Sequence, residues 1–151
     1  MKSRALRQIM VWGVKLIVPR QRVGVAVIAL DESERVLLLR HVFHPISPWG
    51  VPGGWLNRHE PPEVGALREL REETGLTAVL GPVAHVMHST KPHHIGIFYL
   101  ATVEPGPITL SAEIIEAKWF ALDELPPLLT FTRAGIETAV NVHRLHNAQK
   151  V

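Results

Sequence analysis

The segment from Gly54 to Leu76, GWLNRHEPPEVGALRELREETGL, constrains the fold of this chain more than any other stretch. Pro62 suits the first turn of a helix, where its missing N–H costs no hydrogen bond. Gly75 suits the position just past a helix, which favours a left-handed backbone. Between them, Val64, Leu67 and Leu70 with Ala66 predict a packing stripe on a helix that runs to about Thr74. On that helix Glu69, Glu72 and Glu73 stand at i, i+3 and i+4, so three carboxylates project from nearly one side. Like charges at this spacing destabilise a bare helix. Their placement therefore predicts a neutralising cation, and clustered carboxylate oxygens suit a hard ion such as Mg²⁺ or Mn²⁺. Charged runs usually just face water, but solvation demands neither this spacing nor glycines at both ends.

Gly54, Glu60, Arg68, Glu69, Glu72, Glu73 and Gly75, with apolar Leu70 and Leu76, are spaced as Gly, five residues, Glu, seven residues, Arg-Glu-apolar, one residue, Glu-Glu, one residue, Gly-apolar. In these residues the chain resembles the Nudix hydrolases, and Val51-Pro52-Gly53-Gly54-Trp55 resembles that family's lead-in. The resemblance implies an α/β (α+β) domain with the Nudix fold, a mixed β-sheet sandwiched between helices. It implies a metal-dependent pyrophosphohydrolase that cleaves a nucleoside diphosphate linked to another moiety, with water attacking phosphorus. ADP-ribose, a nucleotide sugar, a dinucleoside polyphosphate and an NTP are the substrate classes in view. The alternative is a Nudix-fold nucleotide-binding or regulatory module without catalysis; such modules show eroded carboxylates or an attached DNA-binding domain, and this sequence shows neither.

The same resemblance distributes roles. Glu69, Glu72 and Glu73 become ligands of Mg²⁺ or Mn²⁺, directly or through water, with Glu73 the strongest single choice. The Gly53 carbonyl joins them, and Gly53 and Gly54 are expected to supply close backbone approach and positive φ. Arg68 pairs with a box carboxylate, Glu60 foremost; Glu60 as a distant metal ligand is the other reading. The general base falls to Glu113 or Glu116 on a later segment, or else to a box carboxylate. Arg40, His41, Lys91, His93 and His94 are candidates for contact with phosphates or the leaving group. Trp49 and Trp55 either stack on a base or pack the loop. His59 departs from the family, whose members commonly carry Gly before the first glutamate. The coenzyme A signature and the NADH-cleavage motif are absent. Pro92 lies sixteen residues after Leu76, near where ADP-ribose hydrolases tend to carry a proline.

Around the box, Val23 to Leu30 and Val36 to Arg40 read as a hairpin of buried strands across a turn at Asp31 to Glu34. A loop follows through Pro45 and Pro48, then a short strand within Val51 to Leu56. Thr77 to His88, Ile95 to Val103 and Glu113 to Phe120 read as further strands, and Phe131 to His146 as a closing helix. The 151 residues fit residues 20–151 as one domain behind an N-terminal amphipathic helical segment, residues 1–19.

The chain has no Cys, which excludes structural disulfides, thiol catalysis and the isomerases of this fold that use a catalytic Cys. Its nine His follow no zinc spacing. Net charge is +2 and no aromatic-interleaved basic stripe appears, so a nucleic acid is not expected as the main partner. Ile9 to Val18 is apolar behind Lys2, Arg4 and Arg7, but Lys15 interrupts it, no small-residue cleavage site follows, and it is too short to span a bilayer. The expectation is a cytoplasmic protein whose residues 3–17 form a helix packed on the domain or on a second copy in a homodimer, ahead of a peripheral membrane contact.

Overall fold

The computed structural model describes residues 4–17, 21–43 and 47–148 of the chain. The elements are α1 (Arg4–Ile17), β1 (Arg22–Leu30), β2 (Val36–His41), β3 (Trp49–Gly50), β4 (Gly53–Trp55), α2 (Pro62–Thr74), β5 (Ala78–Thr90), β6 (His93–Val103), β7 (Ile114–Phe120) and α3 (Thr130–Ala148). One mixed sheet runs β3-β2-β1-β6-β5, with β4 paired to β1 and β7 paired to β2. β1 and β6 are parallel, and the other pairs are antiparallel.

Period-two alternation divides the core between the sheet's faces. Val25, Val27 and Ala29 on β1 join Leu37 and Leu39 on β2 beneath Ala66 and Leu70 of α2. Ile28, Leu30, Val36 and Leu38 turn to the opposite face and meet Ile136, Ala139 and Val140 of α3. The sheet is thus held between α2 and α3, the layered arrangement expected of the sequence. The mostly apolar run of β1 follows from burial on both faces.

The stripe of α2 differs in detail from the expected one. Gly65, Ala66, Leu70 and Thr74 are buried, whereas Val64 is 54% exposed. Buried Thr74 is satisfied locally: its hydroxyl donates to the Leu70 carbonyl at 2.6 Å and accepts the Leu76 N–H at 3.2 Å. Pro61 and Pro62 open the helix and Gly75 closes it at φ 73°, donating its N–H to the Arg71 carbonyl. The two strands β5 and β6 are longer than expected and leave only Lys91-Pro92 between them, where a loop from Ser89 to His94 was anticipated. β3 was not anticipated; two residues between prolines carry no readable alternation.

α1 is helical, as its periodicity predicts. The preferred packing against the domain is not observed where side chains are described: Ile9, Met10 and Trp12 are 68%, 64% and 68% exposed. An apolar face that finds no groove on its own domain stays in solvent until something else covers it.

Two backbone positions give opposite predictions. His59 holds φ 65°, a left-handed conformation that explains why a glycine is common there in relatives. His59→Gly is expected to raise stability by up to about 1 kcal/mol, because glycine accepts this backbone without strain. Gly75→Ala is expected to lower it by about 1–2 kcal/mol. Chemical denaturation of the three proteins checks both signs.

Candidate active site

α2 places Arg68, Glu69, Glu72 and Glu73 beside the loop that carries Glu60 and the strand that carries Gly53 and Gly54. Arg68 is the hub. Its Nε and Nη2 donate to the two oxygens of Glu60 at 2.8 and 2.9 Å, a bidentate fork. Its Nη1 donates to Glu69 Oε1 at 2.7 Å and Glu72 Oε2 at 3.0 Å, and its Nη2 to the Trp55 carbonyl at 3.1 Å. Glu60 also accepts the Asn57 N–H at 2.8 Å. The Arg68 bonds, aided by Asn57, hold the Glu60 carboxyl down at about 2. The Glu60 bonds in turn raise the Arg68 guanidinium above its ordinary value. The expected Arg68–Glu60 pair is therefore present, together with contacts to two further carboxylates.

The Glu73 side chain is 12% exposed. Its Oε2 accepts the Gly53 N–H at 2.9 Å, and its Oε1 lies 4.0 Å from His41 Nδ1. Burial, joined by the negative charges of Glu69, Glu113 and Glu72 and opposed by the Gly53 bond, pushes the Glu73 carboxyl up to about 8. The cluster is short of positive charge at Glu73.

The two glycines serve proximity. A Cβ on Gly54 would stand 2.5 Å from the Glu69 carboxyl carbon, and one on Gly53 would collide with the β1 backbone. Neither has the positive φ anticipated for it; both lie in extended β4, paired with Val25 and Ala26. Pro52 and Leu56 bond to β1, through the Pro52 carbonyl to Val27 N–H and the Leu56 N–H to the Val23 carbonyl. Strand alternation then turns the polar groups of Gly53 and Trp55 away from β1, toward α2, where the Gly53 N–H and the Trp55 carbonyl are engaged. The Gly53 carbonyl shares that side.

The candidate bases separate. Glu113 lies in the turn before β7, its backbone carbonyl accepts the Val42 N–H at 3.0 Å, and its charge reaches Glu73. Glu116 sits on β7 opposite Arg40, with Arg40 Nε 3.4 Å from Glu116 Oε2. That ion pair occupies Arg40 at the strand surface. Lys91 stands in the β5–β6 turn, away from the cavity described next.

A cavity of about 270 Å³ opens beside Gly53 and Gly54, bordered by Trp55, His94, Phe98, Phe131 and Thr132. Trp55 meets His94 edge to face, ring centroids 5.0 Å apart. None of the described lining residues is Asp, Glu, Lys or Arg. Phe131 and Thr132, from the start of α3, were not anticipated as site residues, because nothing in the helix's periodicity distinguishes its first turn from packing.

Among the described residues, no three His, Cys, Asp or Glu side chains are arranged to hold a metal ion outright. Arg68 takes up one oxygen each of Glu69 and Glu72 and leaves the other. Glu72 is 59% exposed. With Glu73 lacking positive charge, this donor set fits a hard divalent ion.

The NUDIX domain family model matches residues 20–139. A CMP-5'-(N-acetyl-N-hydroxy-3-aminopropyl)phosphonate hydrolase of Streptomyces rubellomurinus is 37% identical over 116 residues, 70% of this chain and 55% of that protein. An ADP-ribose pyrophosphatase of Methanocaldococcus jannaschii is 28% identical over 66% of this chain and 62% of its own length. The chain thus spans little more than half the length of these curated relatives. The crystal structure of a MutT NUDIX hydrolase from Burkholderia pseudomallei superposes with a TM-score of 0.67 at 31% identity, covering 80% of this chain and 98% of that one. The chain belongs to the Nudix hydrolase family, whose members generally use divalent metal ions.

Glu73 also sets a pH dependence. Its folded value is raised above the ordinary carboxylate, so the folded state binds more protons than the unfolded state between about 4.5 and about 8. Stability is therefore lost as pH rises through that window. In chelator, the melting temperature is expected to fall from acidic to mildly alkaline pH. Glu73→Gln should flatten this slope and melt higher than the parent at the alkaline end. An unchanged slope in the variant contradicts the assignment.

Proposed function

We propose that this protein is a metal-dependent pyrophosphohydrolase that cleaves a nucleoside diphosphate joined to another moiety. The observation that carries the reading is the meeting of two unlike surfaces at Gly53 and Gly54. On one side stand Glu69 and Glu72, braced by Arg68, and Glu73, held by the Gly53 N–H. On the other is an aromatic cavity with no charged side chain among its described lining residues. A nucleoside diphosphate has the same division, with an apolar planar base at one end and a dense negative charge at the other. Trp55 and Phe131 offer ring surfaces to the base. The diphosphate is left to the carboxylate side, which cannot accept it without a cation.

Glu69, Glu72, Glu73 and the Gly53 carbonyl would hold Mg²⁺ or Mn²⁺. Such an ion, when bound, offsets the diphosphate charge and makes its water more acidic. The protein's own contribution is positioning. Arg68 fixes one oxygen of Glu69 and of Glu72, and the Gly53 N–H fixes one of Glu73, which leaves the other oxygen of each for an ion. Glu113, whose charge reaches Glu73, is the better placed of the two outer glutamates to take a proton from attacking water. The relative from Methanocaldococcus jannaschii is named for ADP-ribose, a nucleoside diphosphate linked to a sugar, which makes ADP-ribose and nucleotide sugars the first substrates to try.

Hydrolysis of such a panel is expected to need Mg²⁺ or Mn²⁺ and to stop in chelator. Glu73→Gln should lower turnover by orders of magnitude in a folded protein. Arg68→Lys should recover only part of what Arg68→Ala loses, since an ammonium lacks the planar fork. Nucleotide release measured by chromatography checks all three. Metal-dependent binding without release would mark a non-catalytic nucleotide-binding module.

A further inference from the structure

The apolar face of α1 is unused by the domain. Ile9, Met10 and Trp12 are each about two-thirds exposed, and a Cβ on Gly13 would meet nothing within 4 Å. Helical spacing gives the element two unlike sides. Among the residues whose side chains are described, Ile9, Met10 and Gly13 fall on one side, and Arg7, Gln8 and Val11 on the other. Trp12 falls at the border between them. Such a surface is too apolar to remain in water and needs an occupant.

Charge selects the occupant. The first thirty residues hold six Lys or Arg and no Asp or Glu, while residues 31–151 hold ten against fourteen. A strongly basic segment thus precedes a mildly acidic domain. A second copy would add a second basic helix with no acidic residue on either to offset the other. An anionic bilayer surface answers both demands, since its acyl boundary takes the apolar side and its headgroups the basic one. A bordering Trp sits well at the level of the headgroups. The described helices include none long and apolar enough to cross a membrane, so the contact is one of lying on the surface.

We propose that α1 is an interfacial helix that docks this protein on anionic lipid. The proposal is independent of the catalytic reading, because none of these residues lies in the active site.

The test is sedimentation of the full chain with vesicles of phosphatidylcholine alone, and with vesicles containing roughly one-quarter phosphatidylglycerol. The protein is expected to pellet with the anionic vesicles, to stay in solution with the neutral ones, and to be released by about 0.5 M NaCl. Arg4→Glu with Arg7→Glu should weaken binding by about tenfold or more, since each basic residue near an anionic leaflet contributes about fivefold. Ile9→Ser with Trp12→Ser should weaken it to a similar degree while leaving Mg²⁺-dependent hydrolysis unchanged. Light scattering of the same proteins supplies the contrary outcome. A protein that ignores anionic vesicles overturns the proposal. So does a dimer that the Ile9 and Trp12 replacements dissolve, because α1 would then be a surface between two copies.

Discussion

The site depends on one guanidinium. Arg68 bonds three carboxylates and one backbone carbonyl, and so lets a helix carry Glu69, Glu72 and Glu73 close together. Without it, Glu60, only 11% exposed, would be a largely desolvated charge with one backbone partner. The planar fork suits this task because two of its edges can be engaged at once. Arg68 therefore acts on structure and chemistry together: it ties the loop before α2 to the helix and fixes which carboxylate oxygens stay open.

The compensation is incomplete by design of the layout. Arg68 relieves Glu60, Glu69 and Glu72 but not Glu73, whose partners are a backbone N–H and a more distant imidazole. Glu73 is thus enclosed about as closely as Glu60 but without a guanidinium, and burial together with the neighbouring carboxylates raises its protonation equilibrium. A site that must accept a divalent ion needs such a deficit, at a cost to the stability of the metal-free protein. Leu70 and Ala66 offset it from the other side of α2, where both are fully buried against the sheet.

Much of this was legible in the residues. The i, i+3, i+4 glutamates and the Gly75 stop follow from helix geometry and spacing, and the Arg68–Glu60 relation from the family resemblance. β1 and β2 were legible because burial on both faces leaves continuous apolar runs. Where the reading failed, tertiary contact decided. Val64 has the right spacing for the stripe yet is half exposed, because Gly65 and Ala66 bring α2 closer along a different line. Gly53 and Gly54 are needed for lack of a side chain beside β1 and Glu69, a reason that no local pattern could separate from a left-handed turn. The cavity walls from α3 were illegible because they come from residues more than 70 positions away from the glycines they face.

The central claim is that the Arg68-braced carboxylates around Glu73 form a site for a divalent cation. Anomalous diffraction from a crystal soaked in Mn²⁺ tests it most directly. The account predicts a single strong peak, or two adjacent ones, within bonding distance of a Glu73 oxygen, with Glu69 or Glu72 and the Gly53 carbonyl beside it and the Arg68–Glu60 fork intact. A map with no peak there, or with manganese bound only at other carboxylates such as Glu116, would contradict it.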